Sequence, residues 1–138
     1  MRHFPSHALF AAVLAVTGAP VTAAPMADPG SIAQDIASAG RLRAQSQRLA
    51  KLFQQAALGM QAPVARRQIA VAGYEVDGEL ARLAKYSRQA NTQRQLVRSA
   101  AVWQELRAAL AAEPGQASSE RVNQLADELM LHAGKWAM

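Results

Sequence analysis

The chain has 138 residues, a formal net charge of +5, 51% hydrophobic residues and no cysteine. Without cysteine there is no disulfide, no thiolate metal site and no cysteine nucleophile, so stability has to come from packing. The mild positive charge favours anionic partners in general, but the basic residues are spread along the chain and aromatics make up only 5% of it, which argues against nucleic acid.

The chain opens with Arg2 and His3, an apolar run over residues 8–16, the helix-breaking Gly18-Ala19-Pro20, and the small-residue stretch Val21-Thr22-Ala23-Ala24. This is the three-part pattern of a secretory signal peptide. Residues 1–23 are read as that signal, with the cut after Ala23, because a cut after Ala24 would set Pro25 immediately past the scissile bond. The apolar run is too short to cross roughly 30 Å of hydrocarbon, and no Cys follows the cut as in a lipoprotein. The expectation is an exported, soluble protein, and the Ala-rich leader with the absence of Cys points to a Gram-negative periplasm. Losing the leader removes only Arg2 from the charge count, so the +5 falls by one.

Residues 24–30 are rich in Pro and Gly and read as a flexible lead-in to one domain, residues 31–138. Ser31 is placed to cap a first helix, with Asp35 suited to the positive end of its dipole. Gly59-Met60-Gln61-Ala62-Pro63 ends that helix, and Pro63 fits the first turn of the next. A second helix to about Gln89 carries the stripe Ile69, Gly73, Val76, Leu80 and Leu83. Asn91-Thr92 is a turn and cap. A third helix to about Ala112 buries Leu96, Ala100, Trp103, Leu106 and Leu110. Glu113-Pro114-Gly115 stops it, and Ser118-Ser119 starts a fourth, burying Val122, Leu125, Leu129 and Trp136. The expected fold class is all-α, an antiparallel four-helix bundle.

The first helix carries an irregularity. The run Ile32, Ile36, Ala39, Arg43, Ser46, Ala50, Phe53, Ala57, Met60 alternates steps of four and three, the spacing of a face packed against other helices. Arg43 and Ser46 occupy its centre, within Ala39-Gly40-Arg41-Leu42-Arg43-Ala44-Gln45-Ser46-Gln47-Arg48. A buried guanidinium needs an acid or an anion beside it, and Asp35, two turns away, is out of reach. The planar Arg fork matches nitrate or a carboxylate, and Gly40 permits close approach. The alternative is a slightly rotated stripe in which Leu42, Leu49, Leu52 and Ala56 form the core and Arg43 is solvated.

This ten-residue box resembles the element Ala-Gly-x-x-Arg-Met-x-Ser-x-Arg of the PilJ/NarX-type sensor domain, the periplasmic module of type IV pili chemotaxis transducers and nitrate/nitrite sensor kinases. Ala39, Gly40, Arg43, Ser46 and Arg48 match it, Leu42 and Gln45 are closer to the nitrate sensors, and Ala44 departs from its Met. Leu49-Ala50-Lys51-Leu52 fits the apolar continuation. The resemblance covers roughly a tenth of the chain. It implies a four-helix bundle that binds a small oxyanion, nitrate or nitrite, at a homodimer interface. Arg43 would be the principal ligand, Gly40 a close-approach position, Ser46 and Arg48 supporting or structural, and Arg41 solvated. Those sensor domains sit between two membrane helices and drive a signalling module. Here no second membrane segment or output domain is seen, so ligand status would pass to a partner such as a membrane receptor or transporter.

No enzyme, metal site or cofactor is expected. After loss of the leader His132 is the one histidine, and a lone His near a helix end is most often structural. Glu75, Asp77 and Glu79 point about 200° apart in succession on a helix and do not converge. Asp127, Glu128 and His132 offer too few ligands for a metal. The competing functional reading is a helical adaptor or accessory protein that docks on a receptor, pilus or envelope complex and uses the box for packing.

Overall fold

The computed structural model describes residues 29–136. The expected signal peptide, its cut and most of the lead-in lie outside the described residues. Four helices follow one another: α1 (Pro29–Ala57), α2 (Ala62–Tyr86), α3 (Ala90–Leu110) and α4 (Gln116–Gly134). Connections this short leave a helix no choice but to double back beside its predecessor. The result is an antiparallel four-helix bundle in which α1 packs on both α2 and α4, α3 packs on α4, and the α2–α3 contact is thinner than these. Among the described residues there is no strand, and no helix is long and apolar enough to cross a membrane.

The breaks work by identifiable chemistry. At the end of α1, the Gly59 N–H bonds the Ala56 carbonyl (3.1 Å) and the Met60 N–H bonds the Gln55 carbonyl (2.9 Å). This cap needs a left-handed residue, which Gly59 supplies at φ 71°. Gln61, also left-handed at φ 48°, precedes α2, and Pro63 stands in its first turn. At α4 the expected restart at Ser118-Ser119 comes slightly earlier, at Gln116. Ser118 instead reaches back to accept the Gly115 N–H at 2.8 Å. Likewise α1 begins at Pro29, so Ser31 lies inside the helix rather than capping it.

The core is one cluster drawn from all four helices, with Leu42, Leu49, Phe53, Val76, Leu83, Trp103, Leu106, Val122, Leu125, Leu129 and Trp136 essentially free of solvent. The stripe expected on α4 is buried throughout; that on α2 is buried at Val76, Leu80 and Leu83 and half-buried at Ile69 and Gly73. On α1 the expected seam is corrected. Ala39, Ser46 and Phe53 are buried, but they alternate with Asp35, Leu42, Leu49 and Ala56. Ile36 and Arg43 are exposed, and Ala50 and Ala57 only half-buried. The two seams share every second member and differ by about 50° of rotation at 100° per residue. The outcome follows from transfer energies. Burying Leu42 is favourable by about 2 kcal/mol, whereas burying an unpaired Arg43 would cost several.

Candidate functional site

The Ala39–Arg48 box distributes its side chains around α1 on three sides. Leu42 and Ser46 face the core, and the Ser46 hydroxyl donates to the Leu42 carbonyl at 2.8 Å, so its proton is used on its own helix. Arg41 and Gln45 turn toward α2. Gly40 and Arg43 share the outward face, about 60° apart on the helix wheel, with Ala33, Ile36, Ala37, Ala44 and Gln47, all exposed. A Cβ built on Gly40 would meet nothing within 4 Å. Arg43 is exposed and makes no hydrogen bond or ion pair with any described residue. Arg48 is exposed as well, but lies more than a quarter turn from Arg43. The structure therefore brings Gly40 and Arg43 onto one surface and places Ser46 and Arg48 elsewhere.

Arg41, expected to be solvated, is instead tied to α2. Its Nε donates to Glu79 Oε1 at 2.5 Å, and Arg82 reaches the other oxygen of Glu79 at 2.8 Å. Partial burial pushes the Glu79 carboxyl up, but hydrogen bonds from Arg41 and Arg82, and their charges, outweigh it. The group titrates below its ordinary 4.5. One turn along, the Gln45 amide donates to Glu75. Asp77 points the other way, as the i, i+2 spacing dictates, and accepts from Trp103 Nε1 at 2.8 Å and from Arg107. The three closely spaced acids thus serve as struts between helices and do not form a shared centre. Beside Asp77, a groove of about 300 Å³ runs between α2 and α3 with Gly73 and Trp103 in its wall.

A second polar cluster escaped the sequence reading. Asp35, only 4% exposed, turns one carboxylate oxygen toward the Ser87 hydroxyl (2.7 Å), the Thr92 hydroxyl (3.2 Å) and the Gln89 amide (3.3 Å). These donors come from the α2–α3 turn and the start of α3. Asn91 extends the cluster to α4 by donating to the Lys135 carbonyl at 2.9 Å. The carboxylate is held by neutral donors, which is how a buried charge is tolerated without a counter-ion. Asp35 was readable in principle, since it continues the Leu42, Leu49, Ala56 heptad one step toward the N-terminus. The structure adopts the alternative stripe through Leu42, Leu49, Leu52 and Ala56 with Arg43 solvated, and Asp35 extends it.

His132 stands apart from both clusters. Its Nε2 lies 3.9 Å from Glu128 Oε1, and its Nδ1 is buried without a partner among the described residues. Among those residues no group of three or more His, Asp or Glu is placed to hold a metal ion.

Comparison with family models, with curated proteins and with solved structures finds no match to this chain. The resemblance to the sensor domain therefore stands on the box alone.

Proposed function

We propose that this protein is a periplasmic, non-catalytic ligand-binding module that takes a small oxyanion, nitrate or nitrite, between the α1 helices of two copies. The observation that carries the reading is the outward face of α1. Gly40 opens onto free space and is flanked by Ala33, Ala37 and Ala44, with Ile36 and Gln47 the larger exposed side chains of the same face. Arg43 stands on the same surface with its guanidinium uncommitted to any described residue. Two Arg43 side chains brought together across such a seam repel one another until an anion sits between them, and the Arg fork offers parallel donors to a planar oxyanion. Anion binding then stabilises the dimer by linkage. In this form the site is incomplete in a single copy.

The test is thermal unfolding and sedimentation with and without millimolar nitrate or nitrite. The expected outcome is a rise in melting temperature and a shift toward dimer, both lost in Arg43→Ala. If neither anion moves either quantity, the oxyanion reading fails. The second reading, a helical adaptor for a receptor, pilus or envelope complex, is favoured by exposed Leu58 beside a groove of about 630 Å³ between α1 and α4. It predicts silence in the anion titration and an acid of the partner opposite Arg43.

A further inference from the structure

Between Glu79 and Glu105 the sequence holds no acid, yet it carries Arg82, Lys85, Arg88, Arg94 and Arg98. The fold gathers much of this stretch at one end of the bundle, where α2 finishes, α3 begins, α1 begins and α4 finishes. Arg82 is committed to Glu79. Lys85, Arg88 and Arg94 are exposed and make no ion pair with a described residue, and half-buried Lys135 follows the last turn of α4. Within residues 29–36, 80–97 and 129–136, which form this end, the one carboxylate is that of Asp35. It is buried and turned inward to Ser87, Gln89 and Thr92. Among the described residues the surface of this end is therefore basic, with no exposed acid in those segments.

Two further observations say what such a surface fits. Arg88 precedes the α3 N-cap by one residue and Arg94 lies in the second turn of α3, and the first turn of α3 has no acid. A helix N-terminus carries positive partial charge, so this placement works against α3 and has no rationale within the bundle. Beside these cations Tyr86 is 58% exposed, with the Lys85 ammonium 5.1 Å above its ring. Long cations from three helix ends beside an exposed tyrosine match an extended anionic surface with an interfacial layer better than a single small ligand.

We propose that the end of the bundle bearing Lys85, Tyr86, Arg88, Arg94 and Lys135 docks on an anionic phospholipid surface. This face is distinct from the Gly40–Arg43 face of α1, and the proposal does not depend on oxyanion binding. Protein produced from the full sequence is sedimented with vesicles of mixed phosphatidylethanolamine and phosphatidylglycerol, and separately with vesicles of phosphatidylcholine. The expected result is association with the anionic vesicles only, lost as salt rises toward about 1 M, where the Debye length is ~3 Å. Arg88→Gln with Arg94→Gln should weaken the partition on the order of tenfold or more. Removing the same charge elsewhere, by Lys51→Gln with Arg67→Gln, should leave it near the unmodified value. A second patch pair, Lys85→Gln with Lys135→Gln, repeats the test, and circular dichroism checks that each variant stays helical. Three outcomes overturn the proposal: no association with anionic vesicles at low salt, equal loss from patch and control pairs, or binding to soluble polyglutamate without binding to vesicles. The last would assign the surface to an acidic protein partner.

Discussion

The two halves of the bundle are built from different interactions. Toward the α1–α2 and α3–α4 loops the interior is apolar: Leu49, Leu52, Phe53, Ala56, Val102, Trp103, Leu106 and Val122. Toward the other end lie the buried polar residues Asp35, Ser38, Ser87 and Thr92, with Ser46 and Ser99 near the middle of their helices. The apolar half is held by non-directional burial, so its cost of damage scales with volume removed. The polar half depends on particular donors meeting particular acceptors, and damage there scales with groups left unpaired. The same half carries the basic surface. Leu42, Leu83, Leu96, Leu129 and Trp136 are buried at that end too, so both halves share apolar packing and the Asp35 cluster is what one of them adds.

The largest way to stress this contrast is Trp103→Ala in the apolar half. It removes a side chain that is 1% exposed and takes away a donor to Asp77. The expected loss is ~3–5 kcal/mol of global stability, measured by denaturant unfolding. Should Trp103→Ala cost less than 1 kcal/mol, the apolar half is not the stability-bearing one.

Asp35→Ala in the polar half should cost less, about 2 kcal/mol, because it leaves the hydroxyls of Ser87 and Thr92 without their acceptor. Its distinguishing mark is locality. Hydrogen exchange should accelerate at the start of α1 and in the α2–α3 turn while amides around Trp103 keep their protection. Uniform acceleration across both halves would show that the two are one cooperative unit.

The smallest effect belongs to the exposed strut between them. Glu79 titrates lower when folded than its ordinary 4.5. A carboxyl whose folded value is depressed binds protons more readily when unfolded, so its stabilisation is complete above the unfolded value and disappears as pH falls through the folded one. Acid titration of stability should therefore show a drop beginning near pH 4.5 that Glu79→Gln reduces. The difference should be a few tenths of a kcal/mol, as for partly exposed pairs. An unchanged acid limb in Glu79→Gln would remove this strut from the account.

The helices themselves were legible because their punctuation is chemical: Gly59 for a left-handed cap, Pro63 for a first turn, Pro114-Gly115 for a stop. The apolar stripes of α2 and α4 were equally plain, since their Leu and Val positions admit one face. On α1 periodicity alone was ambiguous. Ala39, Ser46 and Phe53 belong to either seam, and only the difference between burying Leu42 and burying Arg43 separates them. The partners of Arg41 and Asp35 were beyond reach for another reason. They lie 38 and 52–57 residues away, and pairing at such distance depends on how helices rotate against each other. The outward pairing of Gly40 with Arg43, by contrast, follows from three-residue spacing once the core face is known.

The Asp35 cluster also sets an order on folding. Its carboxylate sits in the second turn of the first helix, but its donors do not exist until the chain has grown through Thr92 and doubled back twice. Helix α1 can form and begin packing its leucines long before that, carrying a charged group on what will become an interior face. Closure of this end therefore waits on residues through Thr92, and it seals the chain's beginning against the turn at its middle.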